Sequence, residues 1–281
     1  MRKKRNEKFS NLRIKNVNVT SFEELSNKSP FRYFNMHKKK LATKEHFPIL
    51  IEGIVSFLQE IDLTRTIPKN MFLEELDSFI EEAEINSEVS VISRTKNVIT
   101  NNIYKIYSKG LREFHSFRGE LLEYLTVHLE KDTESKIYHE PIFQHKRKKL
   151  IEKSFAGQGC LIDVVKVHEK GVEIKLIECK ATLDNHINAL KGGYPTKDSG
   201  KNFLKKINYM IYIDDTLSRY KSNKNDNIKV TKVLISLKEH KRVLPSRYDD
   251  FKTVNLLEVI REKIDNKTFS ELFQKATIRQ Q

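Results

Sequence analysis

Cys160 and Cys179 are the only cysteines in 281 residues. That scarcity excludes a disulfide framework and a Cys-rich zinc module. Long apolar runs are also missing. The most apolar window, residues 47–61, is interrupted by Glu52 and Gln59 and is too short to span a bilayer. The basic stretch from Met1 to Lys8 leads into Phe9-Ser10-Asn11-Leu12-Arg13, not into an apolar segment, so it does not read as a signal peptide. The expected location is the cytoplasm, with no membrane partner. Acidic residues are in deficit, 38 against 52 Lys and Arg, which leaves a net charge of +14. Such an excess points to a polyanionic partner, nucleic acid first. A nucleotide-hydrolysing loop is absent too: Gly200-Lys201 would need Gly at 195 and Ser or Thr at 202, where Pro195 and Asn202 stand. A process that needs ATP would have to draw it from a partner.

What remains reads as a mixed α/β protein. The first 30 residues are polar and basic, an arm. Phe47, Ile49, Leu50, Ile54, Phe57, Leu58 and Ile61 recur at helical spacing, and Met71, Phe72, Leu76 and Phe79 repeat the pattern after Pro68. The segment from Val89 to Tyr107 is helix or mixed. Residues 1–108 therefore form a basic arm and a mostly helical N-terminal region. From 109 to 281 the pattern changes. Leu111, Phe114, Leu121, Leu122, Leu125 and Leu129 predict a helix, and Ile137–Phe143 a strand. Residues 161–167 and 172–180 predict a hairpin turning at Lys170-Gly171. Asp184–Gly200 reads as a polar loop. A helix through Phe203, Leu204, Ile207, Met210 and Ile211 follows, then a strand at Ile228–Leu237 and a short strand and helix at Val254–Ile264. The expected order is α-β-β-β-α-β-α, a central mixed sheet flanked by helices.

The chemistry concentrates in the hairpin. Asp163 follows Leu161-Ile162, Glu178 follows Leu176-Ile177, and fourteen residues lie between the two acids. Antiparallel strands joined by a tight turn would set these carboxylates side by side. Glu178 and Lys180 are two apart and share one face of their strand. Two carboxylates can hold a hard divalent cation, which polarises a phosphate. A lysine beside them can orient or help deprotonate the attacking water and offset transition-state charge.

At these residues the sequence resembles the PD-(D/E)xK, or restriction-endonuclease-like, nuclease superfamily. Its strand-end Asp corresponds to Asp163 and its (Asp/Glu)-x-Lys to Glu178-Cys179-Lys180. The resemblance spans about Leu111 to Ile264. It implies Mg²⁺ or Mn²⁺ held by Asp163, Glu178 and the backbone carbonyl of Cys179, with Lys180 positioning water. It also implies DNA as substrate and a role in restriction, repair or bacterial anti-phage defence. The chain's size and the missing ATP motor suit an effector of a helicase or ATPase complex, and a homo-oligomer is a further candidate assembly. Ile162 stands where the motif has Pro. Some relatives add an acid on the preceding helix, and Glu123 is the candidate here.

Bland readings stand beside these. Asp163 could be a strand-end acid paired with a surface lysine. Glu178 and Lys180 could be an exposed ion pair worth about 0–1 kcal/mol, although the apolar neighbours Leu176, Ile177 and Ala181 make that strand read as buried. Cys179 is a buried strand cysteine rather than a nucleophile. Glu120 and Glu123 point away from the leucine stripe and suit a solvated face, and Arg118 suits a phosphate contact or solvent. His115, His128, His168 and His186 form no metal spacing, and His139-Glu140-Pro141 reads as surface. Lys146-Arg147-Lys148-Lys149 and Lys197, Lys201, Lys205 and Lys206 flank the hairpin and either track a nucleic-acid backbone or decorate solvated loops. Arg2–Arg5 and Lys38–Lys40 are candidate non-specific arms. A catalytically silent nucleic-acid-binding or assembly subunit of the same fold is the alternative to a nuclease. A basic helical interaction protein with an accidental motif is a third reading.

Overall fold

The computed structural model describes residues 7–8, 12–16, 31–32, 46–88, 90–145, 148–150, 161–168, 173–191, 198–221 and 227–265. The expectations placed on Arg2–Arg5, Lys38–Lys40, Lys146, Arg147, Cys160, Lys170-Gly171 and Lys197 lie outside those residues. In chain order the elements begin with β1 Glu7–Lys8, β2 Leu12–Asn16, α1 His46–Glu60, α2 Lys69–Ser87, α3 Ser93–Tyr107 and α4 Leu111–Glu130. Next come β3 Ser135–His139, β4 Pro141–His145, β5 Lys148–Lys149, β6 Val164–His168 and β7 Glu173–Lys180. The last are α5 Asp184–Lys191, α6 Asp198–Leu217, β8 Tyr220–Lys221, β9 Lys229–Ser236, β10 Phe251–Asn255 and α7 Leu256–Asp265. No helix among the described residues is long and apolar enough to cross a membrane. The mixed α/β class expected from the sequence is the class the chain adopts.

The residues divide into two compact units. The helical unit comprises Phe22–Leu129, Leu237–Glu239 and Asn255–Gln281. Its α1 is buried nearly all round, as a helix apolar on every side must be. The one acid in its middle, Glu52, is matched by Arg261 Nε of α7 at 2.7 Å. Phe57, Phe72, Tyr107 and Phe114 join α1, α2, α3 and α4 through ring contacts of 5.0, 4.7 and 5.3 Å. The Tyr107 hydroxyl accepts the Ile67 N–H at 2.8 Å, which satisfies a polar atom inside that aromatic cluster. The segment from Val89 to Tyr107, open between helix and mixed structure, is helical from Ser93. α1 and α2 approach closely at Gly53, where a Cβ would lie 2.6 Å from the Ile80 Cα. Backbone cannot yield as a flexible side chain does, so Gly53→Ala is expected to destabilise the protein by about 1–3 kcal/mol. Urea unfolding measures this, and an unshifted midpoint would contradict the close packing.

The other unit comprises Met1–Ser21, Glu130–Ser236 and His240–Val254. Its main sheet runs β10-β9-β7-β6-β3. β3 with β6 and β6 with β7 are antiparallel, whereas β7 with β9 is parallel. A smaller antiparallel sheet runs β2-β4-β5, and β1 pairs with β8. Phe203, Ile207, Met210, Ile213 and Leu217 make the apolar stripe of α6 and share one core with Val165, Val167, Ile174 and Leu176 of the hairpin. Burying five such side chains stabilises the layer by roughly 1.5–3 kcal/mol each.

Two expectations need correction. The run Ile137–Phe143 is not one strand. Glu140 has φ 43°, the left-handed region, and splits the run into β3 and β4, which enter different sheets. Pro141 has no N–H to continue a ladder, and the Glu140 N–H donates instead to the Asp163 carbonyl at 2.9 Å. Nor is Asp184–Gly200 a loop throughout, because α5 occupies Asp184–Lys191. Leu183, Ile187 and Leu190 recur at helical spacing and are buried against the core. Asp184 at its start accepts the Lys241 and Arg242 N–H groups at 3.2 and 3.1 Å.

Candidate functional site

Asp163 immediately precedes β6, and Glu178 lies near the end of β7. The ladder pairs Val164 with Ile177. Extending it by one residue sets Asp163 opposite Glu178 on the same face, because facing residues of antiparallel strands share a side of the sheet. Both acids are buried, at 2% and 0% exposure. Two backbone contacts fix Asp163. Its carbonyl accepts the Glu140 N–H, and its Oδ2 accepts the Cys179 N–H at 2.7 Å.

Two ammonium groups join the acids. Lys180 donates to Glu178 Oε1 and to the Cys179 carbonyl, the latter at 2.9 Å, and stands 4.0 Å from Asp163 Oδ2. Lys206, on α6, pairs with Asp163 Oδ1 and lies 3.0 Å from Glu178 Oε1. The sequence placed Lys206 among the backbone-tracking lysines, but the structure turns it into the acid pair. A signal for this exists in the pattern. Phe203, Lys206, Met210 and Ile213 fall on one helical stripe, so an ion there must point toward the core and meet a counter-charge.

The electrostatics follow from burial and these charges. Burial opposes ionisation of Asp163, yet Lys206, Lys180 and the hydrogen bonds to Lys206 and the Cys179 N–H hold it below its ordinary value. Glu178 behaves oppositely: burial and the neighbouring Asp163 charge push it up to about 7, against the pull of both lysines. Burial lowers Lys180, but Glu178 and Asp163 outweigh it, and Lys206 is raised in the same way. Both lysines are therefore cationic at neutral pH. His186 of α5 packs on the Phe203 ring at 4.8 Å, and burial, then the Lys180 charge, lowers it to about 4. It is a neutral imidazole beside the site, half-buried rather than a plain surface histidine.

The donor set fits a hard divalent cation. Asp163, Glu178 and the Cys179 carbonyl offer only oxygen, the preference of Mg²⁺ and Mn²⁺. Glu178 Oε2 is buried with no hydrogen-bond partner, an acceptor that a cation or water would satisfy. Among the described residues no group of three or more His, Cys, Asp or Glu side chains gathers at one point. A cation here would draw its remaining ligands from backbone, water and substrate.

Glu178 makes this site pH-sensitive. Its folded value, about 7, lies above the ordinary 4.5. Its contribution to stability is therefore complete below about pH 4.5 and is lost as pH rises through about 7. Asp163 and both lysines keep their charge across that window. Metal-free protein is expected to melt lower at pH 8 than at pH 5.5, and Glu178→Gln to flatten that difference. Melting curves in EDTA decide it, and equal slopes for parent and variant would refute the assignment.

The other predicted residues are placed as follows. Glu123 is half-buried on α4 in the helical unit. Lys148, Lys149, Lys201 and Lys205 are exposed. Cys179 is buried and outside any disulfide.

The chain matches no protein-family model and no curated protein sequence. Two solved structures bear a distant likeness. Can2 from Sulfobacillus thermosulfidooxidans, in complex with cyclic tetra-adenylate, has 13% identity and a TM-score of 0.30 over 90% of this chain and 58% of that one. Protein VC1899 from Vibrio cholerae has 8% identity and a TM-score of 0.29 over 94% of this chain and 60% of that one. The chain thus spans 58–60% of the length of these two proteins.

Proposed function

We propose that this chain is a metal-dependent nuclease that hydrolyses DNA phosphodiester bonds, with Asp163, Glu178 and the Cys179 carbonyl holding Mg²⁺ or Mn²⁺. The observation that carries this reading is the buried acid pair, with one Glu178 oxygen unsatisfied and Lys180 on the same face of the strand. When bound, the cation would supply Lewis-acid polarisation of the scissile phosphate. The chain's own groups do the rest. Lys180 stays protonated, so it acts as a donor that orients water or a phosphate oxygen and not as a base. Lys206 holds the two acids together and offsets their mutual repulsion. Lys148, Lys149, Lys201 and Lys205 are offered as contacts to the phosphate backbone, sequence-independent and salt-sensitive. Work in restriction, repair or bacterial anti-phage defence, with ATP supplied by a helicase or ATPase partner, completes the reading.

A silent nucleic-acid-binding subunit is favoured by a different observation: two ammonium groups already balance two carboxylates, and Lys206 touches both. Incubating the full chain with supercoiled plasmid and single-stranded DNA separates the two. Nicking or linearisation in Mg²⁺ or Mn²⁺, and none in EDTA, is the result expected of the nuclease. Intact DNA that is nevertheless retarded in a gel, with metal or without, identifies the silent subunit.

A further inference from the structure

Residues 240–253, which lead from β9 into β10, enclose a cavity that the acid pair does not use. Its volume is about 430 Å³, inside the range of about 300–1,000 Å³ that small-molecule sites occupy. The floor is apolar. Tyr248 and Phe251 are buried there and meet edge to face at 6.0 Å. Leu244 is half-buried, and Val243 stands 79% exposed. Lys241 and Arg242, both exposed, complete the open side. Asp249 is the one carboxylate in the lining. Among the described residues neither the Lys241 nor the Arg242 side chain has a carboxylate within 4.0 Å.

The segment is strapped along α5, so the cavity is formed before anything enters it. The Asp184 carboxylate accepts the Lys241 and Arg242 N–H groups at 3.2 and 3.1 Å. Arg242 Nη1 donates to Asn188 Oδ1, and Arg247 Nη2 donates to the Leu190 carbonyl at 2.7 Å. The Arg247 guanidinium also lies 4.9 Å from the Tyr248 ring, within cation–π reach, and holds that part of the floor. Preformed walls spare a ligand the cost of ordering them. The chain leaves β9 at Ser236, which stands opposite Lys180 in the parallel ladder. The segment therefore starts beside the end of β7 that carries Glu178.

We propose that this cavity holds one unpaired nucleotide of a nucleic-acid strand, with its base on the Tyr248–Phe251 floor and its phosphates at Lys241 and Arg242. A bare anion would leave the apolar floor unused, and an uncharged apolar ligand would leave the two cations unmatched. A paired base is fixed in its stack and cannot enter, so the site selects single strands. The proposal adds a place and a preference to the nucleic-acid partner named above. It does not need the acid pair to cut, since it uses none of Asp163, Glu178, Lys180 or Lys206.

Fluorescence anisotropy with the full chain in EDTA reads binding apart from cleavage. The probes are a labelled oligothymidylate, an abasic strand of the same length and a duplex. The parent should hold the oligothymidylate at least about fivefold more tightly than the abasic strand, the scale of one base on an aromatic surface. Thr253 lines the cavity. Thr253→Phe should fill it and lower oligothymidylate affinity to the abasic value, with duplex affinity unchanged. Lys241→Ala, at an exposed position, should weaken both single strands alike and reduce the salt slope by about one. Melting temperatures check that the variants fold. If Thr253→Phe does not, Val243→Ser at its exposed position should narrow the gap between the two single strands instead. The proposal is overturned if the parent binds both single strands equally, or if the folded cavity variant keeps the parent's gap. It is also overturned if polyglutamate displaces the probe as well as unlabelled oligothymidylate does, which would assign the face to an acidic protein. Cleavage enters none of these outcomes, so a silent acid pair leaves the result standing.

Discussion

Glu178→Ala and Lys180→Ala are each expected to lower Mg²⁺-dependent cleavage of plasmid DNA by about 10³-fold, while affinity for the same DNA in EDTA changes little. The size follows from what each group holds. Glu178 supplies half of the side-chain oxygen that a divalent cation could use, and metal polarisation and directed hydrogen bonds each contribute factors of this order. Removing it leaves two lysines crowded on Asp163. Lys180 is buried enough to be a fixed donor, touching Glu178 and the Cys179 carbonyl at once. In the proposed reaction its loss would remove a charge that offsets the phosphate's growing charge in the transition state. Binding should survive because the proposed backbone contacts, exposed Lys148, Lys149, Lys201 and Lys205, are left unchanged by either substitution. Cleavage rates and gel-shift affinities on the same preparations make the comparison. Cleavage that persists in Glu178→Ala would refute the site.

Lys206→Met should be the most destabilising change in the sheet unit, at about 3–5 kcal/mol, the range for removing one partner of a buried pair. The side chain lies against both acids, and without it Asp163 and Glu178 share a buried face with Lys180 alone. Metal-free protein should therefore melt about 10 °C lower. Mg²⁺ should recover part of that loss, because a divalent cation between the acids replaces the missing charge, and its effect on the parent should be smaller. Thermal melts in EDTA and in Mg²⁺ provide both numbers. A variant that melts like the parent in EDTA would show that the ammonium does not hold the pair.

The hairpin was legible in the sequence because two patterns agreed there. β-Branched residues recur at Val164, Val165, Val167 and Ile174, and the spacer suits two antiparallel strands. From those alone Asp163 faces Glu178. Lys206 was not legible as a neighbour, since it follows Lys180 by one helix and the first two turns of the next and sits among exposed Lys201 and Lys205. Only the stripe through Phe203 and Met210 marks it, and stripe membership reads as a defect until a counter-charge is known. The break at Glu140 was hidden for another reason. Ile137-Tyr138 and Ile142-Phe143 are β-prone pairs close enough to read as one strand, and the left-handed turn between them rests on one backbone angle and the missing N–H of Pro141. α5 escaped because eight residues carry too short a period. In the helical third, apolar spacing alone sufficed, since those helices bury their stripes against one another.

The double tether on Asp163 restricts what evolution can place there. Its main chain is tied to the turn at Glu140, and its carboxylate is tied to the Cys179 amide on the next strand. The side chain is thus a strut of set length between two fixed points. Glutamate, with the same charge and one more methylene, would overshoot the amide and crowd Lys206, so this acid is interchangeable in charge but not in reach.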